Sequence, residues 1–93
     1  MSINRYQKQR DKNEKEIIEY FEKRGFSVYK LDQPVDLLLG YQKKNYLVEV
    51  KMPKKGRLTP NQKDFMEIWN GQFIVIDSIE QAGRFADGVI FGG

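Results

Sequence analysis

Residues that can hold charge around a phosphate stand close together in an otherwise apolar part of the chain. Asp36 follows Val35 and precedes Leu37-Leu38-Leu39, while Glu49 and Lys51 alternate with Val48 and Val50. Side chains of an extended strand alternate between faces, so Leu47, Glu49 and Lys51 share one face, and Tyr46, Val48, Val50 and Met52 the other. By the same rule Asp36, Leu38 and Gly40 lie together. The polar segment 41–44 between these runs is short enough to force an antiparallel hairpin. Folding it about Gln42 and Lys43 sets Asp36 opposite Glu49. Sliding the turn by one residue moves the pairing to Lys51, and Asp36 and Glu49 face the same side in either register. Two carboxylates so placed repel, and their partial burial is costly unless a cation or a proton lies between them. The plainer alternative is an ion pair of Lys51 with Asp36 or Glu49 at the end of a sheet.

Glu14 is a third candidate. Ile17, Ile18 and Phe21 follow it at i+3, i+4 and i+7, so it belongs to the apolar face of a helix from which Glu16 and Glu19 point away. Near a helix start it can simply answer the helix dipole. Placed over the sheet that carries Asp36 and Glu49, it is an expected third oxygen ligand. The chain has no cysteine and no histidine. That excludes disulfides, zinc knuckles, thiol nucleophiles and imidazole bases, and leaves any metal on oxygen donors, as suits magnesium, manganese or calcium. A carboxylate-held metal can activate water and neutralise a phosphate, and Lys51 can polarise the attacking water or pair with the scissile phosphate.

The elements that must position these groups are legible along the chain. A first helix is expected over Asn13 to Arg24, closed by Gly25, and a first strand over Phe26 to Leu31. Val35 to Gly40 and Asn45 to Met52 form the hairpin strands. Pro53 to Arg57 is a basic loop, and Thr59-Pro60 reads as an N-cap with proline at the first helical position. The second helix carries Phe65, Met66, Ile68 and Trp69 and stops before Asn70-Gly71. Phe73 to Asp77 is a fourth strand, continuously apolar and so expected to be buried on both faces. Ser78 caps a short helix from Ile79 to about Phe85, and Gly88 to Phe91 is expected to add a last short strand. The pattern predicts one mixed α/β domain with a central sheet and flanking helices.

The segments Val35-Asp36, Glu49-Val50-Lys51 and Thr59-Pro60-Asn61-Gln62 together resemble the PD-(D/E)xK nuclease signature, in the short VRR-NUC branch and its Holliday-junction-resolvase relatives. The resemblance spans about Glu14 to Asp77. It implies a restriction-endonuclease-like αβββαβ core and a magnesium- or manganese-dependent, structure-selective DNA endonuclease acting on branched or four-way-junction DNA. It further implies that Asp36 and Glu49 bind the metal, that the main-chain carbonyl of Val50 completes the shell, that Lys51 is catalytic, and that Glu14 and Gln62 join from the two helices. Thr59 and Gln62 are equally well spaced for a capping box. Val35, not proline, precedes Asp36, and the short segment between the first two strands leaves no room for an extra substrate-gripping loop. The alternative is a catalytically inactive nucleic-acid-binding module that keeps the fold.

Ninety-three residues, 40% of them hydrophobic and 31% charged, suit a single folded domain over 1–93, with 1–12 a basic polar extension. The net charge of +3 fits a nucleic-acid partner without demanding one, because lysine runs are often only solvated faces. Lys54, Lys55, Arg57, Arg10 and Lys12 are the expected DNA contacts. No apolar stretch approaches the roughly 20 residues of a membrane span, and 1–12 lacks an apolar core, so a cytoplasmic location is expected. A homodimer is expected too, since a core this small gains from further burial between subunits and the apolar residues of the second helix cover more than one contact needs.

Overall fold

Gln42 and Lys43 both adopt positive φ, 50° and 68°, as a two-residue type I′ hairpin turn requires. In the computed structural model, which describes residues 12–53 and 57–92, this turn joins β2 (Leu37–Tyr41) to β3 (Lys44–Val50). The turn sets the register: Tyr41 pairs with Lys44, and the ladder runs back to Leu37 opposite Val48. β1 (Ser27–Lys30) adds on the far side of β2, also antiparallel. β4 (Phe73–Ile76) pairs parallel with β3, after a crossover through α2 (Pro60–Ile68). The result is a mixed four-stranded sheet in the order β1-β2-β3-β4.

The sheet has two unlike faces. On one, Leu37, Leu39, Val48, Val50 and Ile76 pack with Ile17 and Phe21 of α1 (Glu14–Lys23) and with Ala82 and Ala86 of α3 (Ile79–Phe91). α1 ends in a Schellman turn: Gly25 takes φ 92°, its N–H donates to Glu22 O, and Phe26 N–H donates to Phe21 O. The apolar contact that accompanies such a turn is the Phe21–Phe26 ring pair at 5.2 Å. A side chain at Gly25 would be strained by the positive φ alone. Burying Phe21, which is fully enclosed, is worth about 3–5 kcal/mol by comparison with core phenylalanine truncations.

The other face carries Leu38 and Leu47 and among the described residues is covered by α2, through Phe65 against Phe73 at 5.7 Å. α2 buries none of its residues. An apolar groove of about 470 Å³ stays open beside it, lined by Leu38, Leu47, Phe65 and Trp69 among others.

Two expectations are corrected. β4 is an edge strand with only Ile76 fully buried, because nothing pairs with its outer side within the described residues and α2 covers its face loosely. Gly88 to Phe91 is not a strand but the last turn of α3, which runs unbroken over 13 residues. Ile79, Ala82, Ala86, Val89 and Ile90 recur at helical spacing, and this apolar stripe carries the helix through Gly88. The expected hairpin strands are shifted by one or two residues at their ends. Of the N-terminal extension only Lys12 belongs to the described residues. Among the described residues no helix is long and apolar enough to cross a membrane.

Candidate functional site

Asp36 lies one residue before β2, and Glu49 one residue beyond the last position of β3 that pairs with β2, so the two stand opposite each other one step past the Leu37–Val48 pair. Both are buried. Asp36 Oδ2 accepts a hydrogen bond from Val50 N at 2.8 Å, and the Asp36 carbonyl accepts from Leu31 N at 2.7 Å. Its carboxylate therefore takes the place that a strand carbonyl would hold in the next rung of the ladder. In an extended residue N–H and C=O point to the same edge. The Val50 carbonyl thus faces the edge where Asp36 sits.

Glu49 is 2% exposed, and two donors converge on one of its oxygens. Gln62 Nε2 donates to Glu49 Oε2 at 2.6 Å, and Lys51 Nζ lies 3.2 Å from the same atom. Lys51 is itself largely enclosed, its side chain 16% exposed. A buried carboxylate needs such partners, since burial without them is costly. Gln62 arrives through local chemistry: Thr59 Oγ1 accepts from Gln62 N, and Gln62 Oε1 accepts from Thr59 N at 2.9 Å. That reciprocal box opens α2 with Pro60 at its first position. The capping role and the site role of Gln62 are both met at once, because its amide presents an acceptor to Thr59 and a donor to Glu49.

No family model, curated protein or solved structure matches the chain. What the site can do must therefore come from its own chemistry. Asp36, Glu49 and the Val50 carbonyl are hard oxygen donors at one end of the sheet, a set suited to magnesium or manganese. Among the described residues no three acidic side chains converge into a cluster that would enclose a metal by themselves. Magnesium commonly rests on one or two carboxylates and completes its shell with water and substrate phosphate, so the two carboxylates and the carbonyl fit that mode.

Glu14 is buried, as its place on the face of Ile17 and Phe21 requires. However, α1 packs on the Leu37/Val48 face, whereas strand alternation turns Glu49 toward the opposite one. Glu14 thus shares the end of the sheet without joining a three-carboxylate cluster. The expected Glu49–Lys51 ion pair is present, so the plainer alternative describes part of the site correctly. Lys12 and Arg57 are exposed; Arg10, Lys54 and Lys55 lie outside the described residues.

Sequence reasoning missed Asn13, which it treated only as a helix boundary. Asn13 Nδ2 donates to the carbonyls of Lys51 at 3.1 Å and Asp77 at 3.0 Å. Asparagine at a helix start is a visible signal of a cap, but partners 38 and 64 residues away are not visible in the sequence.

Proposed function

We propose that this chain is a magnesium- or manganese-dependent endodeoxyribonuclease of the PD-(D/E)xK type, with a restriction-endonuclease-like core, similar to the VRR-NUC and Holliday-junction-resolvase branch. What carries the reading is the meeting of Asp36, Glu49, Lys51 and Gln62 at one sheet end, with both donors on Glu49 Oε2. The αβββαβ order and the parallel β3–β4 pair support it further.

In this reading Asp36, Glu49 and the Val50 carbonyl would hold a divalent metal, whose chemistry there would be Lewis-acid activation of water and neutralisation of charge on the scissile phosphate. Lys51 stands beside Glu49 and orients the attacking water or pairs with a phosphate oxygen. Gln62 holds the Glu49 carboxylate in one orientation. Water adds to phosphorus and gives up a proton to solvent, the bond to the leaving oxygen breaks, and that oxygen takes up a proton from solvent. Exposed Lys12 and Arg57, with Arg10, Lys54 and Lys55, supply the sequence-independent grip on phosphates. The reading also includes a location inside the cell, in the cytoplasm.

The same reading includes a two-fold homodimer, which would set two sites on one four-way junction. α2 supports this: Ile68 is 79% and Trp69 44% exposed, a large apolar surface for one short helix.

A second reading, a nucleic-acid-binding module without catalysis, draws on the protein partners these acids already have, with Val50 N donating to Asp36 Oδ2 and Lys51 paired with Glu49 Oε2. One experiment separates the two. The purified chain is incubated with linear duplex, flap and four-way-junction DNA, with manganese, with magnesium and with chelator. Metal-dependent cutting that Lys51→Ala abolishes, while metal and DNA binding persist, supports the nuclease; binding without cutting under every condition removes it.

A further inference from the structure

We propose that Asn13 is a positioning residue for Lys51, holding the lysine's main chain so that its ammonium meets Glu49. The inference rests on the nuclease reading for the role of Lys51, but its geometry is independent of that reading.

β3 ends at Val50 and β4 at Ile76, so Lys51 and Asp77 are the first residues past the two strand ends. The sheet still holds the Lys51 N–H, which donates to Ile76 O at 2.9 Å. It is Asn13 that takes the next carbonyl on each strand, one amide group bridging Lys51 O and Asp77 O. Both main-chain groups of Lys51 are thereby fixed just where the strand stops, and the Asp77 N–H is fixed as well, donating to Gln81 Oε1 at 2.8 Å. A lysine just past a strand end would otherwise have a loosely held backbone and a long side chain with many rotamers. Its placement 3.2 Å from Glu49 Oε2 follows from a restrained backbone.

Asn13 does not act as an ordinary cap. It occupies the N-cap position of α1, yet its side chain makes no capping hydrogen bond to the helix. Its Oδ1 is buried and has no hydrogen-bond partner among the described residues. At an ordinary cap the oxygen is the working atom and binds the first-turn amides. Here the working atom is the amide nitrogen, and its work lies on the strand ends. The adjoining Glu14 is anchored to the same sheet end by the same contact, so one residue couples the start of α1 to the placement of Lys51.

Asn13→Ser tests this directly. Serine keeps a cap acceptor for α1, while its single short hydroxyl cannot bridge two carbonyls. Asn13→Ala serves as the blunt companion, and Glu16→Gln as an exposed control on the same helix. Two readouts are taken with the full chain: kcat and KM for DNA cleavage with manganese, and the order of the Lys51 ammonium by nitrogen-15 relaxation. The expected result for Asn13→Ser is a kcat lower by about 10- to 100-fold with KM within about twofold, together with a mobile Lys51 ammonium. If Asn13→Ser and Asn13→Ala lower only the melting temperature, leaving kcat and Lys51 order as in the parent, the residue is merely structural and the proposal is overturned. Should the parent chain cut no DNA, the nuclease reading falls by itself, and the order of Lys51 alone decides whether Asn13 positions it.

Discussion

Gln62 and Glu49 are joined side chain to side chain at 2.6 Å, while the other atom of the same Gln62 amide closes the capping box with Thr59. The start of α2 and the orientation of a buried carboxylate are thus one device. Helix formation aims the donor, and the donor holds the acid. The two functions can be pulled apart by substitution. Thr59→Ala should cost about 0.5–2 kcal/mol in thermal or denaturant unfolding, as loss of an N-cap does, with cleavage largely retained. Gln62→Glu keeps an acceptor for Thr59 N but sets a second carboxylate against Glu49, so it should keep α2, read by circular dichroism, and lose most activity. Equal loss of activity in both variants would mean that Gln62 acts only as a cap.

Asp36 and Glu49 should be needed for cleavage, and they should also matter to stability. Simple relief of carboxylate repulsion would let Asp36→Ala hold or raise stability without metal. The structure points the other way, because Asp36 Oδ2 is the partner of the buried Val50 N–H. Leaving that donor unpaired should destabilise the chain by about 1–3 kcal/mol. Asp36→Asn keeps an acceptor and should restore much of the stability but none of the activity. Urea unfolding of the two variants alongside a cleavage assay measures both effects, and a fully stable Asp36→Ala would contradict the role assigned to this hydrogen bond.

Glu14→Gln should lower metal-dependent activity well below that of Glu16→Gln. Glu14 is buried at the sheet end, whereas Glu16 is exposed. Because Glu14 does not complete a three-carboxylate cluster with Asp36 and Glu49, manganese affinity by titration calorimetry should change less in Glu14→Gln than in Glu49→Gln. Equal loss of affinity in the two would make Glu14 a direct ligand after all.

The homodimer should be visible as a mass near twice the 11.0 kDa of one chain in light scattering at micromolar concentration. Ile68→Glu, at the most exposed apolar position of α2, should shift that mass to the monomer and turn paired cuts on a four-way junction into single nicks. A parent that scatters as a monomer while cutting junctions at full rate would end the dimer model. Cleavage of either form should weaken steeply as salt rises, since counterions compete for the same phosphates.

The sequence alone determined the hairpin and what it brings together. Alternation and the length of the 41–44 segment were enough to put Asp36 and Glu49 on the same side of adjacent strands, since a period of two leaves few ways to close a short antiparallel turn, and the turn at Gln42 and Lys43 then chose Glu49 over Lys51 as the residue opposite Asp36. It also determined the first helix with its Gly25 stop and the Thr59–Gln62 box, because each is decided by residues within one or two turns of one another. Burial of Glu14 followed from the same helical spacing. The tertiary structure decided everything that depends on which surfaces meet. Helical periodicity gives the apolar face of α1 but not the side of the sheet it covers, so it could not say that Ile17 and Phe21 pack on the face of Leu37 and Val48. A continuous apolar run such as Phe73 to Ile76 looks the same at an edge as in the middle of a sheet, and only the strand order made β4 an edge. Gly88 hid a helical stripe whose partners lie on α1 and the sheet. Asn13 shows the limit most clearly. Its amide reaches residues far along the chain, and a hydrogen bond between two strand ends and a helix start exists only once all three have been packed into place.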